Sequence, residues 1–236
     1  MWARVACPHA ASHLNGCPRA PALQQRVVLP MRLADRPEGP LQCGAIPDIA
    51  FAAAVLDQLD RQGCVDLSRI YAGGFQAGGE AAVLLGCALA ERIAAAATVS
   101  GLSDLAATCE RSGSLPLLAV HGTDDPLLRY EGGVGELIAD DVMINGQPFG
   151  QSPIVREHWR RSIPERAVGF AGAGASPSTL EQSAPVERVE RWRWRGGATA
   201  DVDLYVIEGA GHAWPAGAPL DATELIWEFF ERHGSS

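Results

Sequence analysis

Three short runs hold the side chains best suited to chemistry. The first, Arg-Ile-Tyr-Ala-Gly-Gly-Phe-Gln-Ala-Gly-Gly-Glu at residues 69–80, reads as strand, sharp turn and helix around Gln76. Gly74 and Gly78 stand two positions to either side of that residue. This is the spacing of a nucleophile elbow, G-x-S-x-G, where glycines let strand and helix approach without a Cβ clash. A generic tight strand-to-helix turn would carry the same glycines. The second run is His-Gly-Thr-Asp-Asp-Pro at residues 121–126. A carboxylate there can orient a histidine and stabilise its cation, although an Asp-Pro pair also serves a plain turn or helix cap. The third, Gly-Ala-Gly-His-Ala-Trp-Pro at residues 209–215, holds His212 in a glycine-rich loop. From such a loop an imidazole can reach across to the first turn, or it can simply be a solvated loop histidine.

For these runs to meet, the elements between them must deliver each to one edge. Ile49, Ala53, Val55, Leu56 and Leu59 recur near helical spacing and predict a helix ending around residues 62–63. A short strand over 69–73, a turn over 74–79, a helix over 80–92 and an apolar run over 93–99 follow. Residues 115–120 are wholly apolar, the mark of a buried parallel strand, and empty into the polar loop at 121–126. Residues 130–185 read as a surface excursion with one helix around 155–163. The chain returns through alternation at 189–194, a strand over 202–207, the loop 208–219 and an amphipathic helix over 221–233. Alternating strands and helices predict an α/β fold: a mostly parallel sheet with helices on both faces, ligands binding beyond the carboxyl ends of its strands. Residues 1–45, rich in Pro, Arg, Cys and His with one strand-like stretch at 26–29, read as an irregular N-terminal segment; residues 46–236 read as the domain proper.

Elbow, then acid, then histidine is the chain order of α/β-hydrolases. The stretch from Val65 to Gly101, with its Gly-Phe-Gln-Ala-Gly-Gly turn and Ile-Ala-Ala-Ala-Ala-Thr-Val-Ser-Gly, resembles the elbow region of polyhydroxybutyrate-depolymerase and feruloyl-esterase-type esterases. So do His-Gly-Thr-Asp-Asp-Pro with Tyr130-Glu131-Gly132-Gly133, and Ile-Glu-Gly-Ala-Gly-His-Ala-Trp-Pro. The resemblance runs over residues 47–230. It implies an α/β-hydrolase fold lacking some N-terminal strands, with Asp125 rather than Asp124 as triad acid and His212 as base. It also implies Ala77 N–H as an oxyanion donor, Trp214 as a candidate substrate contact, an ester substrate either small or polymeric, no cofactor and no metal.

Two departures stand beside the resemblance. Gln76 occupies the serine position, and a carboxamide has no proton to lose and no alkoxide to offer, so it forms no acyl-enzyme. The upstream glycine-rich loop that would donate a second oxyanion N–H is not found; His13-Leu14-Asn15-Gly16-Cys17 is a poor echo. The expectation is an impaired esterase. The alternatives are a non-catalytic module in which Gln76 holds an ester or aromatic ligand, and a hydrolase in which His212 activates water directly.

The rest of the sequence narrows the partners. Net charge is −9 and all 19 basic residues are Arg, which opposes a nucleic-acid partner. Arg-Trp-Arg-Trp-Arg at 191–195 accordingly reads as a strand with one tryptophan face, not as a base-stacking platform. The longest apolar run, 81–90, is bounded by Glu80 and Glu91 and too short to span a bilayer, so no membrane partner is expected. Residues 1–30 lack the pattern of a secretory signal; the resemblance implies an extracellular protein if the true start lies upstream. Of the six cysteines, Cys87 and Cys109 are the candidate disulfide, a buried thiol on the helix being the other reading. Cys7, His9, His13 and Cys17 match no common zinc spacing. Oligomeric state is left open.

Overall fold

The computed structural model describes residues 2–3, 47–63, 65–105, 114–140, 143–144, 147–172, 179–181, 188–196 and 199–234. Its elements in chain order begin with β1 (Trp2–Ala3), α1 (Pro47–Gln62), β2 (Ile70–Phe75), α2 (Ala77–Ala88), β3 (Ala95–Val99) and β4 (Leu117–Gly122). There follow α3 (Glu136–Ala139), β5 (Met143–Ile144), β6 (Gln147–Pro148), α4 (Pro153–His158) and α5 (Ile163–Ala171). β7 (Thr179–Glu181), β8 (Val189–Gly196), β9 (Thr199–Ile207) and α6 (Ala222–Glu231) complete the chain.

Among the described residues, seven strands form one sheet in the order β1-β2-β3-β4-β9-β8-β7. β2, β3, β4 and β9 run parallel, while β1, β8 and β7 pair antiparallel with their neighbours. The four parallel strands are nearly all apolar because both their faces are covered. Alternation sorts the side chains. Leu117, Ala119, Val202 and Leu204 face a core shared with Ile163, Ala167 and Phe170 of α5. Leu118, Val120, Tyr205 and Ile207 face the other way, onto Ile226, Phe229 and Phe230 of α6. A third cluster joins α1 and α2 through Leu56, Ala82 and Leu85, with Ile70 and Ala72 of β2. α6 starts where Asp221 caps it, accepting from Thr223 N–H at 2.9 Å and Glu224 N–H at 3.1 Å.

The mostly parallel sheet covered on both faces is as the sequence implies, and four local expectations are corrected. The turn after β2 is a single residue, Gln76: its carbonyl already accepts from Gly79 N–H and Glu80 N–H, so α2 begins at Ala77 rather than at residue 80. β4 runs on through His121 and Gly122, which the sequence reading gave to the loop. The excursion at 130–185 is more ordered than expected. It holds α3, α4, α5 and β7; α4 covers the first part of the expected helix at 155–163, and the longer α5 starts where that helix was to end, because Ser162 and Glu165 form a capping box with Pro164 inside it. The N-terminal segment contributes β1, with Trp2 opposite Tyr71 and Ala3 opposite Ile70; the strand-like stretch at 26–29 and the Cys7–Cys17 group lie outside the described residues.

The alternating run at 189–194 is indeed a strand with a tryptophan face: Trp194 is buried and stacks on the half-buried Trp192, ring centroids 6.3 Å apart. No helix among the described residues is long and apolar enough to cross a membrane.

Candidate active site

All three runs sit at the carboxyl edge of the parallel strands. Gln76, between β2 and α2, has φ 52° and ψ −124°, a conformation that only glycine adopts without cost. For another residue the strain is about 1–3 kcal/mol. What imposes it is the close approach of strand and helix. A Cβ on Gly74 would overlap the Gly78 carbonyl, and one on Gly79 would overlap the Thr98 hydroxyl of β3. Gly78, which the spacing had marked as the second necessary glycine, has open space where its Cβ would be; Gly79 does that work. Gly101, after β3, is likewise pressed against the Gln76 carbonyl. Ala77 N–H belongs to the first turn of α2, where helix donors have no partner in the helix's own ladder.

Asp125 follows β4. Its carboxylate is buried and fully engaged: Oδ1 accepts from the N–H groups of Leu127 and Leu128, each at 2.9 Å, and Oδ2 lies 2.8 Å from His212 Nδ1. Burial is the largest influence on its pKa and by itself would raise it. The hydrogen bonds from Leu128, His212 and Leu127 together outweigh burial and hold the group below the ordinary carboxylate value. Asp124 is exposed and bonded to Thr123 instead. Because the Asp125 carboxylate is an acceptor, His212 donates from Nδ1 and its Nε2 carries the lone pair. That Nε2 is buried and makes no hydrogen bond among the described residues. The His212 ring lies against Phe75, the residue before Gln76, with centroids 4.8 Å apart.

The loop carrying His212 is fastened at several points. Asp124 N–H donates to Ala210 O at 3.0 Å, and Gly209 N–H donates to Thr123 Oγ1 at 2.8 Å. Gly122 has no room for a Cβ against the Ala210 carbonyl. The Trp214 indole N–H is taken by Thr223 Oγ1 at 3.1 Å, and the ring packs on the α6 side of the core. In this arrangement Trp214 anchors the loop to the last helix. An apolar cavity of about 170 Å³ lies beneath the same loop, lined by Val99, Ser100, Val120, Ile207, Ala213 and Leu220 among others.

Several participants gave no signal of their own in the sequence. Phe75, Leu127 and Leu128 act through position, the last two through backbone N–H groups. Arg166 of α5 is wholly buried, donates to Leu102 O at 2.9 Å, lies 3.5 Å from Asp104 and covers the Trp159 ring at 5.1 Å. Burial lowers its pKa to about 10, with Asp104 opposing. Asp104 also pairs with Arg161. This cluster ties the excursion to the loop after β3, which in turn abuts Gln76. Cys87 is disulfide-bonded; Cys109 lies outside the described residues. Among the described residues, no group of three or more His, Cys, Asp or Glu side chains is placed to hold a metal ion.

A mostly parallel sheet with a strained turn after β2 and an acid–histidine contact between the loops after β4 and β9 has the arrangement of the α/β-hydrolase type. Curated proteins similar to it in sequence are esterases. A probable feruloyl esterase C of Aspergillus niger is 27% identical over 78% of this chain and 57% of its own length. A probable feruloyl esterase C of Aspergillus flavus is 36% identical over 78% of this chain and 57% of its own. Feruloyl esterase B of Piromyces equi is 28% identical over 80% of this chain and 32% of its own. The chain thus spans about half the length, or less, of these relatives. No family model matches it. A solved acetyl xylan esterase from Aspergillus awamori aligns at a TM-score of 0.42 and 16% identity over 77% of this chain and 66% of that one, too loosely to bear on the site. Over about four fifths of its length this chain is similar in sequence to feruloyl esterases.

Proposed function

We propose that the chain carries a carboxylic-ester site in which Asp125 and His212 are the acid and base of a triad whose nucleophile position is held by Gln76, and that its hydrolysis is impaired for that reason. The observation that carries this reading is the His212 Nδ1–Asp125 Oδ2 contact of 2.8 Å, which leaves a buried, unbonded Nε2 beside the turn bearing Gln76. An Nε2 lone pair in that state is what a serine hydroxyl would need as its base, and a carboxamide makes no use of it. Ala77 N–H supplies one oxyanion donor. The names of the relatives favour a feruloyl or similar aryl ester over a polyhydroxyalkanoate, and the disulfide at Cys87 favours an oxidising, extracellular setting.

The test is hydrolysis of short acyl p-nitrophenyl esters. Wild-type protein turns over near background, and Gln76→Ser raises the rate roughly 10³-fold. That gain is a triad's worth less about 10² to 10³ for a missing oxyanion donor. Gln76→Ser with His212→Ala loses it. Wild-type turnover at ordinary esterase rates, or no gain from Gln76→Ser in a folded protein, overturns the reading.

A second reading has its own support in the apolar cavity beneath the histidine loop: a non-catalytic module that retains an ester or aromatic ligand. An apolar site of about 150 Å³ is enough to hold a benzene-sized group. Tight binding of a feruloyl ester to wild-type protein without turnover selects it.

A further inference from the structure

We propose that His121 is a positioning residue that holds the Asp125 turn in the shape that presents its carboxylate to His212. The inference rests on the reading of Asp125 and His212 as acid and base.

His121 is the next-to-last residue of β4 and nearly inaccessible. Its Nε2 lies 2.8 Å from Leu128 O and 3.5 Å from Asp125 Oδ2. Both neighbours are acceptors, so the Nε2 position must carry the proton; a lone pair there would face two oxygens. The N–H donates to the Leu128 carbonyl, and its positive end also faces the carboxylate. Leu128 N–H, in the same residue, donates to Asp125 Oδ1 at 2.9 Å. The bonds are linked: the His121 imidazole donates to the Leu128 carbonyl, the Leu128 amide donates to Asp125, and Asp125 also accepts from His212. Leu128 also bridges to Val134, so the linked bonds are built into the excursion.

The groups facing His121 are Asp125 and Leu128 from the turn, Tyr130 with ring centroids 6.5 Å away, Arg166 from α5, and His212 from the last loop. Burial, reinforced by Arg166 and His212, lowers the imidazole pKa to about 4, with Leu128 and Asp125 opposing. The side chain is therefore neutral at pH 7 and acts through its tautomer alone, with Nδ1 buried and unbonded among the described residues. A neutral donor can steady a carboxylate beside a second histidine without competing with it as a base.

The experiment is nuclear magnetic resonance on the full ¹⁵N-labelled chain. In wild-type protein, His121 carries its proton on Nε2 at pH 7, and a proton found on Nδ1 overturns the proposal without any variant. His121→Phe accelerates amide exchange at Leu127 and Leu128 and solvent exchange of the His212 Nδ1 proton roughly tenfold, the size expected for one lost hydrogen bond. Amides of Ala119 and Leu204 inside the sheet stay unchanged in His121→Phe. His121→Gln, whose carboxamide N–H can reach the same carbonyl, restores most of the protection. Acceleration shared equally by the sheet amides, or none at the turn, overturns it. Failure of the ester reading is separately visible: an inactive Gln76→Ser protein with these protections intact removes the catalysis and leaves the linked bonds.

Discussion

The two halves of the candidate site are in opposite condition. At the β2–α2 turn, the backbone is held in a costly conformation by glycine contacts, and the side chain it displays, Gln76, has no nucleophilic chemistry. At the ends of β4 and β9, the arrangement is set by side-chain bonds: Asp125 accepts from two amides and pairs with a histidine, and His212 has a carboxylate at Nδ1. The elbow's shape is thus a property of packing, fixed by Gly74, Gly79 and Gly101, and does not depend on the chemistry of the side chain it presents. The Asp125–His212 half depends on side-chain identity throughout.

The sharpest break in this comparison comes from Asp125→Asn in the Gln76→Ser background. It should remove essentially all of the roughly 10³-fold gain proposed for the serine, since an amide at that site selects the wrong imidazole tautomer; p-nitrophenyl ester turnover measures it. Next in size is Gly74→Ala. Its methyl collides with backbone of α2, and unfolding in urea should show a loss of at least about 3 kcal/mol. Gly78→Ala, two residues past the turn in open helix, should be neutral or stabilising by up to about 1 kcal/mol. If both substitutions behaved alike, packing would not be what shapes the elbow.

The acid–base half has a pH signature of similar magnitude. The His121 imidazole protonates near 6.5 when unfolded but only near about 4 in the folded protein. Between those values the unfolded chain holds the extra proton, so stability falls as pH drops through this window. The loss should reach about 3 kcal/mol at the acid end. Urea midpoints between pH 7 and pH 4 measure it, and His121→Gln should flatten the slope. The smallest effect belongs to Gln76→Gly. Relief of strain less the greater chain entropy of glycine leaves a gain of about 1 kcal/mol, visible as a raised Tm. A loss instead would mean that the Gln76 side chain makes a stabilising contact.

The parallel core and the order of the site were legible because they are written in strong local signals. The apolar run ending in His-Gly-Thr-Asp-Asp-Pro can only be a buried strand opening into a polar turn, and the Gly-Ala-Gly-His run follows a strand of the same kind. The extent of α2 was not legible, since Gly78 and Gly79 look like turn residues; only the hydrogen bonds to Gln76 O and the press of Thr98 against Gly79 reveal that the helix has already begun. The span 155–163 expected as one helix divides: α4 occupies its first part and α5 begins at its end, where Ser-Ile-Pro-Glu at residues 162–165 is a usable helix-start signal. His121 was read as the first residue of a loop. Its role depends on a carbonyl seven residues on, and no spacing rule announces that.

Arg166 has one consequence that concerns how the molecule comes apart. Its guanidinium is shut away from water, and the groups that make this tolerable come from separate stretches: the carbonyl of Leu102, the carboxylate of Asp104 and the ring of Trp159. If any one stretch peeled away while the others stayed folded, a cation would be left in an apolar interior without compensation, at a cost of about 3–5 kcal/mol. Partial openings of the excursion are therefore disfavoured relative to complete ones. Residues 153–171 and the loop after β3 should melt as one cooperative unit with the site edge, so a cut or insertion in the excursion would act on the elbow from a distance.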